Sequence, residues 1–206
     1  MEKKELITMG MLGAFHNIPT KEDTSIFKTV LELIRRLPNP KVLEVGTYTG
    51  VTITNIADIF PNASCFAIDN FFLEENELQS CRDWAGQNFS LEDIKTAFLF
   101  NTEGRNITLI ENDSTLALRD FINKEELFDF IYVDGSHTSL DTVLDIVLSW
   151  LLLDVGGILA IDDVLYIPPG HSNDTPRQAV ECFLRKFNGE YTVLSSGYRL
   201  FLQKKF

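Results

Sequence analysis

Cysteine is scarce in this chain. Of 206 residues only three are cysteine, Cys65, Cys81 and Cys182. They are scattered, odd in number and match no zinc spacing, so neither a disulfide framework nor a structural zinc site is expected. Reduced, mostly buried thiols are the plain reading, and that reading suggests a cytoplasmic protein. Long apolar runs are missing too. The greasiest stretch, residues 146–153, stops at Asp154 and is too short to span a bilayer. The opening Met1-Glu-Lys-Lys-Glu lacks the apolar core of a signal peptide. Positive charge is in short supply: 18 Lys and Arg stand against 30 Asp and Glu, a formal net charge of -12. A chain this acidic repels phosphate backbones, and the pair Lys204 and Lys205 is too small a patch to reverse that. No nucleic-acid or membrane partner is therefore expected.

What is present reads as an ordinary globular chain, 45% apolar and 23% charged. Residues 1–206 suit a single domain. Residues 1–23 show no period and read as a loop or lid. Residues 24–37 follow as an amphipathic helix with Phe27, Val30, Leu31, Ile34 and Leu37 on one face. Short apolar strands then alternate with helices. Strands are expected at 41–46, 63–69, 106–111, 128–134 and 156–162. Helices are expected from about Val51, through Leu116 and Leu118, over 139–152, and after Thr175-Pro176, where a good N-cap precedes a proline. In the helix over 139–152, Leu140, Val143, Leu144, Val147, Leu148 and Leu151 are expected to face inward. Residues 190–196 and 197–203 read as a closing antiparallel pair. The stretch 70–105 is too long for one crossover helix and suggests a helical insert. The sum is a doubly wound α/β fold, a seven-stranded and mostly parallel sheet with helices on both faces. Such sheets bind ligands at the carboxyl ends of their strands.

The central signal is residues 42–50, Val-Leu-Glu-Val-Gly-Thr-Tyr-Thr-Gly. A glycine directly after a buried strand permits a tight turn, and the next helix offers free N–H groups to an anionic end. A nucleotide dehydrogenase would normally carry G-x-G-x-x-G here. This turn has only Gly46 and Gly50, and Glu44 would repel a pyrophosphate while suiting a cationic amino-acid end. The turn resembles motif I of the class I S-adenosylmethionine-dependent methyltransferases, and is especially similar to that of the catechol-type O-methyltransferases. The resemblance implies that Gly46, Thr47, Tyr48, Gly50 and Thr52 surround the methionine part of S-adenosylmethionine, with Glu44 organising the turn or the amino group. Asp69, with Asn70 beside it, ends the second strand where a ribose-binding acid belongs. Asn112, Asp113 and Ser114 follow the third strand. The family places an acid or amide there to read the adenine amino group, and Asp113 is the candidate. Asp113 is equally suited to cap the next helix, and both roles can hold together.

Asp134 ends the fourth strand, and Asp162 and Asp163 end the fifth, so a parallel sheet brings all three together. Three such carboxylates repel one another unless a cation or a proton relieves them, and oxygen ligands favour Mg²⁺ or Ca²⁺ over zinc. The runs Tyr-Val-Asp-Gly-Ser-His at 132–137 and Ala-Ile-Asp-Asp-Val at 160–164 resemble the metal-dependent O-methyltransferases, more closely the group that includes the macrolide-sugar enzymes. The resemblance implies Asp134, Asp162 and Asp163 as Mg²⁺ ligands, the ion holding two adjacent acceptor oxygens. Other methyltransferases of this fold keep acids here without metal. His137 stands three residues past Asp134, where catechol-type enzymes carry a lysine as general base. An imidazole titrates in the useful range and could take the hydroxyl proton, although a surface or capping histidine has the same pattern. His16 and His171 lie in expected loops.

These readings converge on an enzyme that moves a methyl group from S-adenosylmethionine to a hydroxyl of a small molecule such as a sugar, polyol or phenol. Two alternatives stay open at this point: a nicotinamide-dependent oxidoreductase on the same topology, and a scaffold that binds the cofactor without turnover. The resemblance also raises the expectation of a homo-oligomer.

Overall fold

A computed structural model describes residues 36–167 and 174–206, together with Val30, Glu32 and Ile34. The expected lid over 1–23, most of the helix expected over 24–37, and His16 and His171 lie outside the described residues. Val30 and Ile34 are helical and buried, on the face that the periodicity assigned to them.

The chain alternates strand and helix as β1 (Lys41–Val45), α1 (Val51–Ile59), β2 (Ser64–Asp69), α2 (Glu75–Ala85), α3 (Leu91–Thr102), β3 (Ile107–Glu111), α4 (Ser114–Asn123), β4 (Phe128–Val133), α5 (Ser139–Leu152) and β5 (Leu153–Ile161). It closes with α6 (Pro176–Lys186), β6 (Tyr191–Ser196) and β7 (Leu200–Lys204). The seven strands form one sheet in the order β3-β2-β1-β4-β5-β7-β6. The pairs from β3 to β5 are parallel, while β7 runs antiparallel to both β5 and β6. The expected doubly wound α/β fold with its antiparallel end is therefore what forms. Among the described residues no helix is long and apolar enough to cross a membrane.

Two apolar layers hold the sheet. Alternate residues of the central strands point to opposite faces, so Val42, Phe130 and Ala160 join one cluster and Leu43, Ile131 and Leu159 the other. Ile53 and Ile56 of α1 and Ile94, Ala97 and Phe98 of α3 cover the first face. Ala117 and Leu118 of α4, Ile146 and Trp150 of α5, and Val180 and Phe183 of α6 cover the second. The insert over 70–105 folds as the two helices α2 and α3. Its second helix starts with a capping box, in which Ser90 and Asp93 satisfy each other's backbone N–H groups.

The inward face of α5 differs from the expectation. Its buried residues are Thr142, Asp145, Ile146, Ser149, Trp150 and Leu152, whereas Leu140 is 66% and Leu151 55% exposed. Val143, Val147 and Leu148 are only partly buried. A helix apolar on nearly every side carries no phase in its periodicity, so its neighbours choose the face. Trp150, packed edge-on against Phe183 at 5.3 Å, turns its own side inward. Strand β5 also starts earlier than expected, at Leu153, and ends before Asp162.

Candidate active site

The strand order reverses between β1 and β4. The chain leaves β1 toward β2 and β3, then returns to lay β4 on the other side of β1. Side by side, the carboxyl ends of β1 and β4 form the crevice where such sheets take ligands. Gly46 sits there with φ +82°, and a Cβ on it would lie 2.3 Å from the Asp134 carbonyl oxygen. The β1 turn and the β4 loop therefore touch through backbone, which only glycine permits. Gly50, at φ +74°, caps α1 and lies under the Phe98 ring of α3. Asn101, also on α3, donates to the Thr49 carbonyl at 2.8 Å. The insert thus braces the turn from behind.

Glu44 is 1% exposed and accepts a 2.6 Å bond from the Thr47 hydroxyl. Burial raises its carboxyl to about 8, against hydrogen bonds from Thr47, the Ile53 N–H and Thr52. Glu44 thus ties the turn to the first turn of α1. Asp69 joins the same turn from β2. Its Oδ2 accepts from the Tyr48 N–H at 2.6 Å and its Oδ1 from the Phe71 N–H at 2.7 Å. Burial lifts its pKa, and these backbone bonds oppose the rise. Tyr48, which follows Thr47, adopts φ +50° in this turn. Asn70 is exposed and its Oδ1 accepts from the Phe72 N–H at 3.0 Å.

At the end of β3, the Asn112 N–H pairs with the Asp69 carbonyl at 3.1 Å, holding the two strand ends together. Asp113 is exposed and caps α4, accepting from the Leu116 N–H at 3.2 Å. Ser114 starts α4 and bonds Asp145, which burial raises to about 7.

The acids at the ends of β4 and β5 gather with His137. Donor atoms of Asp134, His137 and Asp163 all lie within 4.8 Å of one another. A small pocket opens here, lined in part by Asp134, Ser136, His137, Asp162 and Asp163. Burial pushes Asp134 well above the usual carboxylate range, with Asp162, Asp163 and Glu44 adding repulsion and Arg199 opposing it. Asp163 behaves the opposite way. Burial raises it, but hydrogen bonds from His137 and Tyr198 and the charge of Arg199 leave it below its ordinary value. An ionised carboxylate only accepts, so the His137 Nε2–H is the donor in its 2.7 Å contact with Asp163 Oδ2. The His137 ring also packs on Tyr166, centroids 4.7 Å apart. Asp162 lines the same pocket but lies outside the three converging donors. Its Oδ2 accepts from Arg199 Nε at 2.8 Å and from the Tyr132 hydroxyl, and its Oδ1 from the Asp163 N–H at 2.8 Å.

A family model for a methyltransferase domain matches residues 43–164, more than half of the chain. The chain belongs to this methyltransferase family. No curated protein matches it. Among solved structures, the methyltransferase domain is similar to MycE, a methyltransferase of the mycinamycin pathway solved with Mg and SAH, at 14% identity and TM-score 0.61. That match covers 97% of this chain and 54% of MycE, so the chain spans about half the length of that relative. It is similar to the O-methyltransferase NovP at 12% identity and TM-score 0.58, over 89% of this chain and 81% of NovP. It is similar to CalS11, a TDP-rhamnose 3'-O-methyltransferase of calicheamicin biosynthesis, at 14% identity and TM-score 0.56, over 98% and 93% of the two chains. Identities this low speak for the fold. The family membership sets aside the nicotinamide oxidoreductase.

Several residues of the candidate site were not legible in the sequence. Phe98 and Asn101 come from the insert, and Tyr198 and Arg199 from the turn before β7. Only the sheet register brings Arg199 to Asp162, because Ile161 pairs with Leu200. The one signal available was the double acid itself, which calls for a positive partner once buried.

Proposed function

We propose that this methyltransferase moves a methyl group from S-adenosylmethionine to a hydroxyl of a small molecule, with a divalent cation at the acid cluster. The observation that supports this is the meeting, at one switch point, of the Gly46 turn, the Asp69 carboxylate and the group Asp134, His137 and Asp163. When bound, S-adenosylmethionine supplies a methyl group already activated on a sulfonium. The Gly46, Thr47, Tyr48, Gly50 and Thr52 turn flanks its amino-acid part, and Glu44 holds that turn in shape from beneath. Asp69 spends one lone pair of each oxygen on backbone N–H groups. The others remain for the ribose hydroxyls. Asp113, exposed at the head of α4, takes the adenine amino group with the oxygen its cap bond leaves over.

Asp134 and Asp163, with Asp162 lining the same pocket, would hold a divalent cation, and such an ion, when bound, lowers the pKa of an acceptor hydroxyl. His137 borders the pocket, held in place by Asp163 and Tyr166, and is suited to take the acceptor's proton. The protein's remaining task is alignment for in-line displacement. Leu165 and Ile167, 53% and 63% exposed, flank Tyr166 and form an apolar rim beside the polar cluster. That rim suits an acceptor with an apolar face next to its hydroxyl.

The test is calorimetric titration of S-adenosylmethionine into the protein, followed by transfer of labelled methyl to sugars, polyols and phenols. Micromolar binding and label on a hydroxyl oxygen are expected. Absence of binding would overturn the proposal, and binding with no transfer to any hydroxylated acceptor would favour the inactive scaffold.

A further inference from the structure

One buried acid stands apart from the cluster at the ends of β4 and β5. Asp145, on the inner face of α5, is 1% exposed. It lies between two parts of the crevice. A Cβ on Gly135 would stand 3.1 Å from its Oδ2, so it meets the loop after β4 at a residue without a side chain. On the other side it bonds Ser114, the first residue of α4, at the carboxyl end of β3. Among the described residues Ser114 is the only group that hydrogen-bonds it. Asp145 Oδ1 is buried without a partner, and so is the Oγ of Ser149, one turn further along α5. The charges that act on Asp145 are themselves acids, Asp141 of α5 and Asp113 at the head of α4. Helix α6, packed beside α5, exposes its own charged residues, Arg177, Glu181, Arg185 and Lys186. A buried carboxylate in these surroundings needs a donated proton, and the Ser114 hydroxyl is the one within reach.

We propose that Asp145 is a positioning residue that sets the base specificity of the cofactor site: it takes the Ser114 hydroxyl proton, so that Ser114 Oγ can only accept, and the site thereby selects a purine bearing an amino group over one bearing a carbonyl. This rests on the S-adenosylmethionine reading above and deepens it. An ionised carboxylate accepts only, and a hydroxyl has one proton and two lone pairs. With its proton committed to Asp145, Ser114 presents lone pairs to the ligand. The adenine amino group donates to them. A carbonyl at the same position sets lone pair against lone pair and leaves both groups unpaired. Asp113, the preceding residue, is an acid and adds to the same preference. Ser114 is partly exposed while Asp145 is buried, so Asp145 acts on the base through Ser114.

The experiment uses the full chain at pH 8, where a carboxyl that burial raises to about 7 is ionised. S-adenosylhomocysteine and S-inosylhomocysteine, the analogue with a carbonyl in place of the amino group, are titrated calorimetrically. The proteins are the wild type, Asp145→Asn, Ser114→Ala and the double variant, each checked by thermal melting. The wild type should prefer the adenosyl ligand by about a hundredfold. Asp145→Asn should narrow that ratio to about tenfold, because an amide can donate to Ser114 and free the hydroxyl proton for a carbonyl. Ser114→Ala should narrow it to the same extent, and the double variant no further. A merely structural role for Asp145 would weaken both ligands in proportion. An unchanged ratio in a cooperatively melting Asp145→Asn protein, or in Ser114→Ala, would therefore overturn the proposal. Ser114 is partly exposed, so its variant decides the matter even if Asp145→Asn does not fold. Equal binding of the two ligands by the wild type sinks this inference alone, whereas binding of neither sinks the cofactor reading and this inference with it.

Discussion

Arg199 and Asp162 meet across the antiparallel pair β5 and β7, with Arg199 Nε 2.8 Å from Asp162 Oδ2. The register sets this contact. Ile161 pairs with Leu200, so the next residue outward on each strand faces the other at the end of the sheet. The side chains are 18% and 7% exposed, so the pair is shielded from water and salt. Tyr132, from the end of β4, adds its hydroxyl, and three strands are thereby joined at the edge that carries the site.

Replacing Arg199 by Met should therefore destabilise the protein by about 3 kcal/mol or more, because a buried carboxylate loses its countercharge. Urea denaturation measures this. The double variant Arg199→Met with Asp162→Asn should cost clearly less than the sum of the single changes, since both act on one interaction. Additive costs would mean that the two side chains are not coupled.

Gly46→Ala should be among the most damaging single changes. The added methyl meets backbone at 2.3 Å, and the residue needs φ +82°. Strain and clash together should cost about 3 kcal/mol or more and abolish S-adenosylmethionine binding. Gly189→Ala is the control. Its φ is +95°, but nothing lies within 4 Å of the added carbon, so only about 1 kcal/mol is expected. Similar melting temperatures for the two variants would contradict the close approach of the β1 and β4 ends.

Glu44 makes stability depend on pH. Burial raises its carboxyl from 4.5 to about 8, so the folded state holds a proton that the unfolded chain releases. Its contribution is fully present below about pH 4.5 and is lost as pH rises toward 8. Asp145, raised to about 7, works in the same direction. Denaturant unfolding from pH 5 to 8.5 should show falling stability. Glu44→Gln should flatten that slope and be more stable than the wild type at pH 8.5, by on the order of a few kcal/mol. A variant slope as steep as that of the parent would contradict the assignment.

Asp69→Ala should weaken S-adenosylmethionine by about ten- to hundredfold, since hydrogen bonds to a charged group contribute about 1.5–3 kcal/mol. Asp113→Ala should weaken it less and also lower stability by about 1 kcal/mol, through loss of the α4 cap. Calorimetry and thermal melting separate the two effects. Affinity unchanged in Asp69→Ala would remove Asp69 from the cofactor site.

The alternation of strands and helices was legible because each central strand is a short apolar run bounded by turn residues, and each connecting helix has its own cap or stop. Thr175-Pro176 is an instance: α6 begins there, with Gln178 Oε1 accepting from the Thr175 N–H. The face of α5 was not legible. Leu140, Leu144 and Leu151 follow helical spacing as well as Ile146 and Trp150 do, and only packing against Phe183 separates them.

The sequence by itself determined the order of elements and the glycine turn, and it placed Asp69, Asp134, Asp162 and Asp163 at strand ends, where a parallel sheet must gather them. These follow from local propensity and from the period of apolar residues, which neighbours along the chain already carry. Only the tertiary structure decided which acid does what. It gave Asp162 to Arg199 and turned Asp163 toward His137, because the pairing of β5 with β7 and the turn of the β4 loop bring together residues 37 and 26 positions apart. No local preference encodes such distances. They are set when the sheet closes and buried charges take the partners within reach.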